Sequence, residues 1–197
     1  MLYVVSSRLV VYDFIENRQR IYSQHTREVE CFAVGGNKFV ASAEGKQNST
    51  ILIWDYRSLQ TKHVITVDHS HRIALLCFST GLELLAAVGE RTHSPVLLFE
   101  TENYSVKASF ASEIEEPIQR VLSFDSPLHP ADLPPEYQEY LVLVGRRKVV
   151  VVDERCSQLS ITFPKDLTTV ATSYLSAEHP YLRSLCAGSL RLFVVTG

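Results

Sequence analysis

The residues best placed to do chemistry in this chain sit in one short stretch, Asp68-His69-Ser70-His71. Two histidines one residue apart share a face of an extended strand, and could ligate one metal ion there. No carboxylate or third histidine keeps a fixed spacing with them, so the stretch reads as a solvated turn. Asp68 beside His69 suggests an acid–base dyad, yet no Ser or Cys nucleophile sits in a strained, glycine-flanked elbow. Glu113, Glu115 and Glu116 form an acidic run that reads as a solvated turn before Pro117. Cys31, Cys77, Cys156 and Cys186 lie far apart without a CxxC pair, which argues against zinc and for reduced thiols in a core. Neither GxGxxG nor GxxxxGK[ST] occurs, and Gly35-Gly36 reads as a tight hairpin turn. The expectation is a chain with no catalytic residue, no cofactor and no metal.

Composition narrows the class further. Of 197 residues, 46% are apolar and 21% charged, the balance of a globular domain with a substantial core. Lys and Arg number 19 against 22 Asp and Glu, a net charge of -3 and no basic footprint for nucleic acid. Apolar runs such as Ile73–Phe78 are far too short for a membrane helix. Arg8 interrupts the opening MLYVVSSRLVVYDF and no small-residue cleavage site follows, so a secretory signal is not expected.

Those residues must be held by strands, because the chain contains no convincing helical pattern. Val, Ile, Leu and aromatic residues come in runs of four to seven divided by short polar turns. One element recurs: an apolar run ending in an acid, then a polar turn. It reads LVVYD at 9–13, ILIWD at 51–55, VLLFE at 96–100 and VVVVD at 149–153, with a degenerate fifth copy, RLFVVT, at 191–196. The first four copies start 42, 45 and 53 residues apart. Outer strands are expected after each copy, at 18–23, 62–67, 105–111 and 158–163. Inner strands follow at 29–34, 73–79, 118–124 and 169–175, and third strands at 38–43, 83–89, 140–145 and 181–187. Four short antiparallel strands in a period of about 40–45 residues predict an all-β, WD40-type β-propeller. The boundaries predict a half-blade over 1–23 and repeats at about 24–67, 68–111, 112–163 and 164–197. Seven blades of that period need roughly 300 residues, so the expectation is a partial propeller of about four blades plus the half-blade, part of a longer chain.

The segment YVVSSRLVVYDFIENRQRIYSQHTREVECFAV, with the inserted turns EGKQNST and GERTHSP, resembles the first propeller of EMAP-like microtubule-associated proteins and related ciliary and centriolar WD scaffolds. In those, an apolar strand, a tight turn, a strand ending in an acid and a charged turn lead into HT-x-x-V-x-C, matched here by His25, Thr26, Val29 and Cys31. The resemblance covers residues 3–100. It implies a buried structural network of His25, Ser42, Trp54 and Asp55; the usual turn aspartate is absent, its position lying in the longer GKQNST loop. The next repeat keeps His69 but has Ala87 for the hydroxyl residue and Phe99 for the tryptophan. It further implies a cytoplasmic, non-catalytic scaffold of the cytoskeleton, at a centriole, cilium or spindle, with tubulin or centriolar and ciliary proteins as partners. An adaptor in signalling, trafficking or ubiquitin-ligase assembly is the alternative, and neither nucleic acid nor membrane is an expected partner.

Partner contacts are expected in the elongated turns at 44–50 and 89–95, which carry Lys46, Asn48, Arg91 and His93 and are expected to cap strands without filling the core. A second candidate is the insertion SPLHPADLPPEYQEY at 126–140, where Pro134 and Pro135 suit an extended polyproline-like stretch.

Overall fold

Alternation of β-branched and aromatic side chains dictates the architecture. In the computed structural model, which describes residues 1–36, 38–45, 48–67, 72–79, 81–126, 138–153, 155–162, 167–173 and 191–196, the regular elements are β-strands joined by turns. Sheet 1 comprises β1 (Leu2–Val5), β2 (Arg8–Asp13) and β3 (Arg18–Tyr22). Sheet 2 comprises β4 (Val29–Gly35), β5 (Phe39–Glu44), β6 (Thr50–Asp55) and β7 (Thr61–Thr66). Sheet 3 holds β8 (Ile73–Phe78), β9 (Leu84–Gly89), β10 (Pro95–Glu100) and β11 (Val106–Ala111). Sheet 4 holds β12 (Arg120–Ser126), β13 (Gln138–Val144), β14 (Lys148–Val152) and β15 (Gln158–Thr162). Sheet 5 pairs β16 (Leu167–Ser173) with β17 (Arg191–Thr196). Within each sheet, strands pair antiparallel in chain order.

Sheet 5 departs from the expected pattern. The third strand expected at 181–187 lies outside the described residues. RLFVVT was expected one strand removed from the inner strand; instead β17 pairs directly with β16, with Val170 opposite Val194.

Successive residues of a strand face opposite sides, so a sheet apolar on both sides needs a neighbour on each. Sheet 2 shows this cleanly. Val40, Leu52 and Trp54 pack with Leu9 and Tyr22 of sheet 1. The intervening Ala41, Ala43, Ile51 and Ile53 pack with Leu85, Ala87, Leu97 and Phe99 of sheet 3. Sheet 3 repeats the logic, turning Ala86, Val88, Val96 and Leu98 toward Leu143, Val150 and Val152 of sheet 4. Alanines in the second strands keep neighbouring backbones close.

The aspartates ending three of the repeated runs share a local task. Asp55 Oδ1 accepts the N–H groups of Arg57 (2.8 Å) and Ser58 (3.0 Å), closing the β6–β7 turn. Asp13 does the same for Ile15 and Glu16, and Asp153 for Arg155 and Ser157. Aspartate favours such turns because its short side chain reaches its own downstream backbone.

Gly35 and Gly36 lie at the β4–β5 hairpin, where Gly36 has a φ of +56° that suits glycine. Gly35 is required for a different reason: a Cβ there would lie 2.9 Å from Cδ2 of Phe78 in the next sheet. Gly35→Ala is expected to push that ring out of place and to destabilise the fold by about 1–3 kcal/mol, read as a lowered urea midpoint at unchanged slope.

Candidate functional site

A buried polar chain ties sheet 1 to sheet 2. Trp54 Nε1–H donates to Ser42 Oγ at 3.0 Å, and Ser42 Oγ lies 2.7 Å from His25 Nε2. Because the Glu44 carboxylate, 2.9 Å away, can only accept, a neutral imidazole gives it Nδ1–H. Nε2 then accepts the Ser42 hydroxyl proton, while Ser42 Oγ accepts from Trp54. Glu44 also accepts the backbone N–H groups of Thr26 (2.8 Å) and Arg27 (3.1 Å) and the Thr26 hydroxyl (3.1 Å). Tyr22 stacks on Trp54 with ring centroids 4.1 Å apart and planes 4° from parallel, and its hydroxyl meets Thr61 Oγ1 at 2.7 Å. Trp54 and Ser42 are fully buried, and His25 and Glu44 nearly so.

His25, Ser42 and Trp54 are thus brought together, whereas Asp55 is not part of the cluster. Asp55 follows Trp54 in an extended strand and so points to the opposite face, where it caps the hairpin. The acid in the network is Glu44, which the sequence analysis passed over. Its signal was present in VASAE: two residues after Ser42 in a strand, Glu44 must share that serine's face.

Electrostatics fit a neutral imidazole against an ionised carboxylate. Burial holds the His25 pKa below the ordinary 6.5, outweighing the pull of Glu44 in the other direction. Burial works to raise Glu44, but the N–H of Arg27, the His25 ring and the two Thr26 donors outweigh it and hold the carboxyl below its usual value. Cys31, Cys77 and Cys156 are half-buried and free. Burial, with the Glu30 charge adding to it, pushes the Cys31 thiol up to about 12, and burial pushes Cys77 up to about 11, so neither is a thiolate nucleophile at neutral pH. Among the described residues no group of three or more His, Cys, Asp or Glu could hold a metal ion. Asp68, His69, His71 and Cys186 lie outside those residues. A cavity of about 30 Å³ between sheets 3 and 4 is lined by Cys77, Ala86, Leu98, Lys107 and Asp153 among others. That is room for a water molecule, not a substrate.

The two elongated turns occupy equivalent places, joining second to third strands in neighbouring sheets. Each has an exposed residue in the left-handed region, Asn48 (φ 50°) and His93 (φ 51°), followed by a fully buried serine. The carbonyl of Ser49 accepts from Val67 N at 2.9 Å, and that of Ser94 from Ser112 N at 3.1 Å. Arg91 is exposed on the second turn; Lys46, Pro134 and Pro135 lie outside the described residues. These turns therefore do more than cap strands, because Ser49, Ser94 and Glu44 fill buried positions. Arg72, just before β8, adds a bridge, pairing with Glu30 of β4 and, at 3.1 Å, with Glu90 of the second turn.

Comparison with known proteins defines the class. The chain superposes on the solved structure of U3-55K with a TM-score of 0.64 at 18% identity, over 86% of this chain and 50% of that one. It superposes on a chain of the mitotic checkpoint complex crystal structure with a TM-score of 0.65 at 14% identity, over 87% and 52%. The fold is a β-propeller of four-stranded antiparallel blades, and the chain spans about half the length of these solved chains. The family model for the EPTP domain matches residues 16–55, from the β2–β3 turn to the end of β6.

Two outcomes test the cluster. Trp54→Ala removes a fully buried ring and its bond to Ser42, and should cost about 3–5 kcal/mol in chemical denaturation. Acid sensitivity has a defined sign. Because folded His25 resists protonation, the unfolded chain binds more protons below pH 6.5, and stability falls as pH drops through that value. Glu44 adds stability above its unfolded pKa near 4.5, lost as pH falls further. Glu44→Ala should destabilise the fold at neutral pH by about 1–3 kcal/mol, through stranded donors, and abolish the lower acid step in urea midpoints measured against pH.

Proposed function

We propose that this chain is a non-catalytic protein-interaction scaffold of the microtubule cytoskeleton, cytoplasmic and associated with a centriole, cilium or spindle. The carrying observation is the segment from β1 to Cys31, whose order of strand, tight turn, acid-ended strand, charged turn and HT-x-x-V-x-C resembles the EMAP-like propellers. In it, His25 and Thr26 are fastened to Glu44, so the resembling motif is also the latch between two blades. A propeller suits scaffolding because its stacked blades present rims that can vary without disturbing the core. Tubulin or centriolar and ciliary proteins are the proposed partners, met through the exposed side chains of the two elongated turns.

A net charge of -3 favours a second reading, an adaptor in signalling, trafficking or ubiquitin-ligase assembly, since microtubule surfaces are acidic and reward a basic patch. Co-sedimentation with polymerised tubulin separates the two. The cytoskeletal reading expects the chain to pellet with microtubules. Arg91→Glu combined with Lys46→Glu should weaken that binding by about tenfold, two cationic charges reversed against an acidic surface, at an unchanged urea midpoint. A chain that stays in the supernatant at low salt overturns direct microtubule contact and leaves the adaptor.

A further inference from the structure

The hairpin turns at one end of sheets 2 and 3 are built bond for bond alike. Asp55 N donates to Gln60 O and Glu100 N to Ser105 O, both at 3.0 Å. Leu59 N donates to Asp55 O at 2.8 Å, and Tyr104 N to Glu100 O at 2.7 Å. Leu59 and Tyr104 share a φ of 57°. Tyr56 N donates to Lys38 O at 3.1 Å, as Thr101 N does to Glu83 O at 2.9 Å. By these bonds Arg57 occupies the place of Glu102, and Lys38 the place of Glu83. All four side chains are exposed. The same two places thus carry opposite charge in adjacent blades, so the turns themselves do not require a cation there.

Sheet 1 adds to the cationic side. Arg20 of β3 donates from Nη1 to the Arg57 carbonyl, crossing the junction between sheets 1 and 2. Lys62 of β7 turns Nζ to the Gln60 side chain at 3.4 Å. Arg20, Lys38, Arg57 and Lys62 are exposed, and among the described residues no carboxylate forms an ion pair with any of them. The acids of these turns are committed: Asp13 and Asp55 accept their own turns' N–H groups, and Glu16 pairs with Arg18 at 3.5 Å. The tip of the Arg20 hairpin is apolar, with Phe14 and Ile15 69% and 96% exposed. Ile15, two residues after the capping Asp13, holds the place that Arg57 holds after Asp55.

We propose that this rim of sheets 1 and 2 is a docking surface for an extended acidic segment of a separate protein, with an apolar residue among its carboxylates. Guanidinium and ammonium groups without an acidic partner recognise carboxylates through charge-assisted hydrogen bonds. Cations drawn from four segments of two sheets suit a stretch of chain rather than a single carboxylate, and the Ile15 tip suits its apolar residue. An anionic bilayer laid on this end of the blades would meet Glu83 and Glu102 as well as the cations, whereas a polypeptide can stop at sheet 2. The elongated turns lie at the opposite ends of the same strands. This surface is therefore distinct from them, and the inference does not rest on the microtubule reading.

Fluorescence anisotropy on the 197-residue chain tests it with a fluorescein-labelled peptide of glutamates flanking a leucine pair. Copies with lysine for glutamate or serine for leucine serve as controls. The first peptide is expected to bind saturably, more tightly than either copy, and less tightly as salt rises. Lys38→Glu with Arg57→Glu copies the charges that sheet 3 already carries, so it should weaken binding about tenfold or more at an unchanged urea midpoint. Lys107→Glu, reversing an exposed cation of sheet 3, should leave binding unchanged. No binding, as a segment of the chain itself covering the rim would give, overturns the proposal. Equal binding of either control peptide, full binding by the double variant, or equal loss in Lys107→Glu does the same. Sedimentation with phosphatidylserine vesicles without binding to the peptide overturns it in favour of a membrane.

Discussion

Sheets 2 and 3 each have two apolar faces, and that constraint governs the rest of the structure. A sheet with one apolar face can rest on a single partner and leave the other side to water. Here the odd and even positions of β5, β6, β9 and β10 are alike buried, so each sheet must stand between two others. Stacking is thus enforced by composition at the level of single strands. The twist of each sheet turns that stack gradually around an axis, which is how face-to-face burial becomes a propeller rather than a flat pile.

Within such a stack the polar network has a narrow place. Apolar packing alone does not set register between sheets 1 and 2, since Leu, Val and Ile surfaces tolerate sliding. The chain from Trp54 through Ser42 and His25 to Glu44 fixes the β3–β4 connection on sheet 2, and the Tyr22 hydroxyl on Thr61 fixes sheet 1 beside it, because each bond is directional. Glu44 also takes two backbone N–H groups that the turn at Thr26 and Arg27 would otherwise leave unsatisfied. Sheet 3 has Ala87 and Phe99 at the positions of Ser42 and Trp54, and both sit in an apolar cluster instead. One blade junction is keyed by hydrogen bonds, and the next relies on shape.

Most strands were legible in the sequence because period-2 alternation survives even where both faces are apolar, and because polar turns punctuate it. Inner strands at 29–34 and 73–79 agree with β4 and β8 to within a residue. The site was harder to read. The resemblance implies Asp55 in the network beside Trp54, yet adjacency in a strand means opposite faces. Glu44 was passed over because a carboxylate ending a strand looks like surface; only its two-residue offset from Ser42 shows otherwise. Ser49 and Ser94 were equally hidden, since serine in a polar turn carries no pattern that separates a buried carbonyl anchor from a solvated link. Direct pairing of β16 with β17 could not be foreseen either, because apolar periodicity identifies strands but not their order.

Function in such a fold is confined to what burial leaves free. The blade faces are committed to one another, and the hairpin acids to their own turns. Even the elongated turns are anchored at one end by a buried serine, and His93 Nδ1 lies 3.2 Å from the Ser112 carbonyl, which leaves Asn48 and Arg91 exposed on a fixed frame. A residue presented that way loses little further entropy on meeting a partner, so a few exposed contacts can bind usefully without a deep pocket.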